Sequence, residues 1–224
     1  MPRSVKGLCY GLHKHGGVPS EWLEWHGHND FYKGVINATT AWLYGCSVAN
    51  GTLMGIGERT GNTPLEALVI EYMGMRGNEN GMDPTVITEI AKYFEKELGY
   101  KIPENQPFVG AGFNVTKAGI HADGMMKDEE IYNIFDTRKI LNRRVDVGIT
   151  DKSGVAGVAY WVNSRLELIG SSKVDKSNTA VKAIKVWVDN QYEEGRTTGI
   201  SDQEIWVQVE KYMPELLRDF RKKK

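Results

Sequence analysis

The sequence predicts an α/β protein: parallel βα units, followed by a mostly helical region. Three observations predict it. Short β-compatible runs alternate with helical periodicity through residue 78, a glycine-rich loop joins the second run to the next helix, and beyond Gly81 the periodicity is helical almost throughout. Parallel strands need crossover helices and cover on both faces, so two such strands cannot complete a sheet by themselves.

The elements follow in order. Pro2 to Leu12 carries apolar residues at helical spacing, and Gly16-Gly17 closes it. Trp22 to His28 reads as a strand. Tyr32 to Tyr44 reads as a helix with a broad apolar face of Val35, Ile36, Ala38, Ala41, Trp42 and Leu43, ended by Gly45. Ser47 to Met54 is a second β-compatible run, Gly55 to Asn62 a loop, and Pro64 sits where a helix can begin. Asp83 is placed to cap a helix running to Leu98, and Tyr100 to Gly119 is rich in Pro, Gly and Asn. Helices are then expected over Lys152 to Leu168, Asn178 to Tyr192 and Ser201 to Lys222. Trp22, Trp25 and Trp42 read as packing residues.

Composition bounds the function. With 224 residues, 41% hydrophobic, 25% charged and a net charge of −1, the chain has the make-up of an ordinary globular protein. Near-neutral charge argues against a general nucleic-acid binder, and the basic tail Arg218, Arg221, Lys222, Lys223, Lys224 reads as a solvated helix end. Two cysteines, Cys9 and Cys46, cannot form a disulfide framework, and no leader-like segment opens the sequence. No apolar run approaches the roughly 20 residues needed to cross a bilayer. These features lead to the expectation of a cytoplasmic protein with no membrane or nucleic-acid partner.

The feature that carries chemistry is Glu24-Trp25-His26-Gly27-His28-Asn29-Asp30. In an extended segment, alternation puts both imidazoles on one face, which is metal-ligand spacing; the structural alternative is a hydrogen-bonded polar strand edge. Glu24 shares that face, where it could bond substrate or metal-bound water or form an ion pair behind the ligands. Asp30 could orient a histidine or cap the next helix. Gly55 and Gly57 permit either a tight connection or close backbone approach to a ligand.

Three segments in this order resemble the metal-dependent acyl-CoA Claisen synthases: Leu23 to Asp30, Gly55-Ile56-Gly57-Glu58-Arg59-Thr60-Gly61-Asn62-Thr63-Pro64-Leu65, and Lys117-Ala118-Gly119-Ile120-His121-Ala122-Asp123-Gly124. That family includes homocitrate, 2-isopropylmalate, citramalate and Re-type citrate synthases, with hydroxymethylglutaryl-CoA lyases as relatives. A weaker likeness continues through Lys152 to Tyr160. The resemblance implies a (β/α)8 TIM barrel with chemistry at the carboxyl ends of its strands. His26 and His28 would hold a divalent cation, Zn, Mn or Mg, that polarises a 2-oxo acid toward the enolate of acetyl-CoA. Asn62 would be a further ligand or an outer-shell group, with helix N-capping the competing role. Glu24 would stand beside the reacting groups, and Gly55, Gly57, Glu58 and Arg59 would form the substrate-binding loop. His121 would assist proton transfer in the opposite subunit of a homodimer. Arg138, Lys139, Arg143 and Arg144 read either as contacts to coenzyme A phosphates or as a solvated face.

Departures sharpen the expectation. A full barrel needs roughly 250 residues, and the Arg, Asp and Glu that family members carry on the first strand are not found. The chain therefore resembles the last βα units of the barrel with the helical subdomains behind it. The expected division is barrel over 1–78, linker subdomain with active-site lid over 79–150, and helical subdomain over 151–224. Catalysis would need a chain supplying the earlier strands. Nothing like the regulatory domain of isopropylmalate synthases follows Lys224, so leucine-type feedback is not expected. The lyases carry a loop cysteine where this sequence has Glu58-Arg59, which favours a synthase over a lyase. Tyr32 stands where relatives have glycine, and Arg143-Arg144 near a tyrosine position, which points to an outlying subfamily such as the Re-type citrate synthases. The alternative is a non-catalytic dimerisation chain.

Overall fold

The computed structural model describes residues 1–118, 121–124, 133 and 135–222. Contacts gather the chain into two compact units, Met1–Phe113 and Asn114–Lys224, a coarser division than the three segments expected.

In the first unit, α1 (Pro2–Tyr10) runs on into a π-helical turn, Gly11–His15. A 3-10 turn over Ser20–Trp22 leads into β1 (Glu24–His26), then come α2 (Gly34–Leu43), β2 (Val48–Asn50), a 3-10 turn at Leu53–Gly55, α3 (Leu65–Arg76) and α4 (Val86–Leu98). The strands are parallel, in the register Glu24↔Val48, Trp25↔Ala49, His26↔Asn50. One face of this pair is covered: Trp25 and Leu23 pack on buried Val5, Cys9, Ala41 and Cys46. The other face, bearing Glu24, His26, Val48 and Asn50, is exposed.

Each strand is shorter than its apolar run. Trp22 is drawn into the 3-10 turn and is 77% exposed, so it is not a packing residue, whereas Trp42 packs edge-on against Tyr72. In α2 the expected face is only partly right. Ala38 and Ala41 are buried with Thr39 and Thr40, while Ile36 and Leu43 face outward. The two threonines can be buried because each hydroxyl donates to a carbonyl one turn back, that of Val35 or Ile36.

In the second unit, β3 (Val115–Thr116) pairs in parallel with β4 (Asp146–Val147), and residues 121–124 form a helical turn. The helices are α5 (Thr137–Leu141), α6 (Gly154–Arg165), α7 (Thr179–Glu193), α8 (Asp202–Tyr212) and α9 (Pro214–Lys222). Val158, Val162, Ile184, Val188, Ile205 and Val209 build its core with Val147 and Trp161. The expected helix from Ser201 to Lys222 is broken at Met213: Pro214 lacks an amide proton and disfavours helical backbone in the residue before it. Among the described residues no helix is long and apolar enough to cross a membrane.

Candidate functional site

His26 is the last residue of β1, at the carboxyl end of a parallel strand, where its ring stands on the exposed face. Its neighbour across the pair is Asn50. Nδ1 of His26 lies 3.0 Å from Oδ1 of Asn50, whose Nδ2 donates to Oε1 of Glu24 at 3.2 Å. Glu24 thus meets His26 through an intervening amide. Asn50 escaped the sequence reading, although alternation along the second strand could have placed it on the face of Val48.

His28 lies beyond the strand and pairs with Asn62 in an isolated antiparallel bridge. Two further bonds hold the glycine loop against this segment: the Asn29 amide donates to Gly61 O at 3.0 Å, and the Thr63 hydroxyl to Gly27 O at 3.2 Å. The rings of His26 and His28 are 5.3 Å apart and nearly perpendicular. Gly27 between them is required sterically, since a Cβ there would meet the Trp25 indole nitrogen at 2.9 Å.

Asn62 donates through Nδ2 to Ile56 O at 3.1 Å, and Pro64 occupies the N-cap position of α3, so Asn62 does not serve as an N-cap. Its Oδ1 and the Nδ1 of His28 are both buried without a hydrogen-bond partner among the described residues. Gly55 and Gly57 have an internal reason to be glycine. A Cβ on Gly57 would overlap the Asn62 amide, and one on Gly55, which has φ +66°, would crowd Asn62 O and the Pro64 ring. Glu58 is exposed. Arg59 donates through Nε to Asp30 at 3.2 Å, which holds the Asp30 carboxyl below its ordinary value. At the start of α2 the N-cap position is Lys33, and the Gly34 amide donates to Asn29 Oδ1 at 3.0 Å rather than to Asp30.

Behind the loop, Glu66 is 3% exposed. Its carboxylate accepts from the amide of Met54 at 3.1 Å and from Gln106 at 3.4 Å. Burial pushes its pKa up. Sequence reasoning missed this residue too, because a Glu in the first turn of a helix ordinarily reads as a solvated dipole partner.

His121 belongs to the second unit, where its Nδ1 lies 3.2 Å from the Thr116 hydroxyl. Ala122 beside it is fully buried, and Asp123 pairs with Lys176 at 2.8 Å. Gly119 and Ile120 of that matched segment lie outside the described residues, as do Lys223 and Lys224 of the basic tail. Arg138 and Arg144 line a cleft of about 680 Å³ with Lys173 and Tyr160, and Arg144 pairs with Glu167 at 3.3 Å.

The donor set can be tested against a divalent cation. Two imidazoles sharing one tetrahedral ion through bonds of about 2.0–2.1 Å hold their ring centres roughly 5 Å apart, close to the observed spacing of His26 and His28. The unpartnered Asn62 Oδ1 is a hard oxygen donor on the residue bridged to His28. Among the described residues no group of three or more His, Cys, Asp or Glu converges, so those residues offer two imidazoles and an amide oxygen without a carboxylate. That set fits a cation site in part.

Comparison with known proteins bears on what such a site does. Residues 1–93 match the HMGL-like family model. Over 216 residues, 96% of the chain, the sequence is 59% identical to the citrate (Re)-synthase of Syntrophus aciditrophicus (strain SB), covering 34% of that protein. Over 217 residues, 97% of the chain, it is 55% identical to the citrate (Re)-synthase of Clostridium kluyveri, covering 48%. It is 35% identical over 213 residues to the 2-phosphinomethylmalate synthase of Streptomyces hygroscopicus, covering 47%. The chain thus spans between a third and a half of the length of these curated relatives.

Proposed function

We propose that the chain, which is similar to the HMGL-like family model and to two citrate (Re)-synthases, is the C-terminal catalytic part of an acyltransferase of the homocitrate, 2-isopropylmalate and citramalate synthase-like family, of the citrate (Re)-synthase type. The reaction is the condensation of acetyl-CoA with the 2-oxo diacid that becomes citrate on gaining an acetyl unit. One observation carries this choice of substrate: likeness to two citrate (Re)-synthases is far stronger than likeness to the phosphinomethylmalate synthase, and it extends over nearly the whole chain.

An HMGL-like match implies a TIM-barrel fold, and the parallel pair β1 and β2 is read as the last βα units of that barrel. Residues 1–78 would be its barrel part, 79–150 the linker with its lid, and 151–224 the helical subdomain. His26, His28 and Asn62 would hold the divalent cation. Bound there, the cation supplies Lewis-acid polarisation of the keto group.

The chain's own residues do the rest. Gly55 and Gly57 bring the loop backbone, with Glu58 and Arg59, to the mouth of the site, and Asp30 restrains the Arg59 guanidinium there. Glu24 anchors the Asn50 amide beside His26. His121 is assigned to proton transfer, its ring oriented by the Thr116 hydroxyl, in a dimeric assembly that includes the earlier barrel strands and the carboxylate they carry.

The test is thiol release from acetyl-CoA with a panel of 2-oxo acids, using this chain alone and together with a chain carrying the earlier strands. The assembled enzyme is expected to prefer the 2-oxo diacid, and the chain alone to be inactive. Preference for a branched 2-oxo monoacid would overturn the substrate assignment, and robust turnover by the chain alone would overturn the shared site.

A further inference from the structure

We propose that Asn50 is a positioning residue that fixes the tautomer of His26, leaving Nε2 as the free lone pair, with Glu24 behind it as the acceptor that sets the amide's direction. The inference rests on the metal-site reading above, yet it concerns hydrogen bonds within the first unit.

An ionised carboxylate only accepts, so the Asn50 atom facing Glu24 Oε1 at 3.2 Å is the amino nitrogen. The other end of the same planar amide, Oδ1, is then the atom 3.0 Å from His26 Nδ1. An amide oxygen only accepts, so Nδ1 of His26 carries the proton. In a neutral imidazole that leaves Nε2 unprotonated, the form a metal ligand needs. Without the carboxylate the amide could turn over, present its amino group to the ring and select the opposite tautomer.

The backbone makes the arrangement possible. The parallel register sets Asn50 beside His26, and Glu24 stands two residues earlier, so alternation brings three polar side chains to one face. All three are exposed, as the open face of the strand pair requires. Such partners typically change metal affinity 10–100-fold when removed, because they orient the ring and raise its basicity.

The experiment reads the tautomer directly. In the metal-free chain labelled with nitrogen-15 in histidine, at a pH where the imidazoles are neutral, long-range proton–nitrogen correlations should show Nδ1–H for His26. Asn50→Ala should convert His26 to a mixture of tautomers and weaken Zn²⁺ binding 10–100-fold in competition with a chromophoric chelator. Asn50→Asp, which retains an acceptor, should restore the tautomer. An Nε2–H tautomer in the unmodified chain, or one unchanged in Asn50→Ala, would overturn the proposal. The parent reading fails separately: if His26→Ala leaves Zn²⁺ affinity unchanged, the histidine pair is not a ligand set, whatever the tautomer.

Discussion

Met54 has φ +57°, left-handed backbone that a residue with a side chain rarely adopts. Its amide proton has a buried acceptor in Glu66, which also receives Gln106. Glu66→Ala should cost roughly 1–3 kcal/mol in chemical denaturation, because a buried amide loses its acceptor. The pH dependence carries a sign. Burial raises the Glu66 pKa above its unfolded value, so the folded state binds the proton more tightly. Its favourable contribution is complete below the unfolded value and is lost as pH rises through the folded one. Glu66→Gln should therefore flatten the decline of stability with rising pH above the ordinary value of 4.5, and a variant whose profile parallels the parent's would remove Glu66 from this role. The histidine pair was legible in the sequence because spacing alone defines it. Glu66 and Asn50 were not, because what distinguishes them is a partner 12 residues away in one case and 24 in the other.

Among the elements, α8 shows how a helix start is secured. Ser201 accepts from the amide of Glu204, whose carboxylate accepts in return from the Ser201 amide at 2.8 Å. The same carboxylate grips Arg196 through both oxygens, at 2.5 and 2.8 Å. Ser201→Ala should cost about 0.5–2 kcal/mol, measured by denaturant unfolding, as the loss of an N-cap does. The Arg196 and Ser201 bonds depress the Glu204 pKa to about 2. This contribution is present above the ordinary value of 4.5 and is lost as pH falls toward 2. Glu204→Gln should accordingly show a shallower acid transition over that window; an unchanged one would show that the pairing adds nothing. Helix existence was legible here from periodicity, Asn178 and Ser201. The break at Met213 was signalled by Pro214 but outweighed by apolar spacing that continues across it. The parallel pairing of β3 with β4 was not legible, since two-residue strands have no period to read.

At the scale of the whole molecule, the first unit carries one face that the described residues leave exposed. Parallel sheets are ordinarily buried on both sides, and a two-stranded sheet is marginal alone, yet Val48 is 47% exposed, and Phe31 and Tyr32 after the histidine motif are 82% and 94% exposed. The isolated chain should self-associate in light scattering and bind a hydrophobic dye, and Val48→Lys should reduce both. A monodisperse chain that excludes the dye would show that the face is tolerated in water. This incompleteness was legible in outline, from two strands with no third. The two-unit division was not, because apolar periodicity says which residues are buried without saying with which others. The buried sulfurs of Cys9 and Cys46, 3.6 Å apart, have a consequence of their own. They are the chain's two cysteines, both lie in the first unit, and burial pushes the Cys46 thiol up to about 12. A thiol reagent near neutral pH can reach these buried sulfurs only when the cluster of Val5, Ala41, Leu23 and Trp25 around them opens, so the labelling rate is a built-in clock for the opening of the first unit.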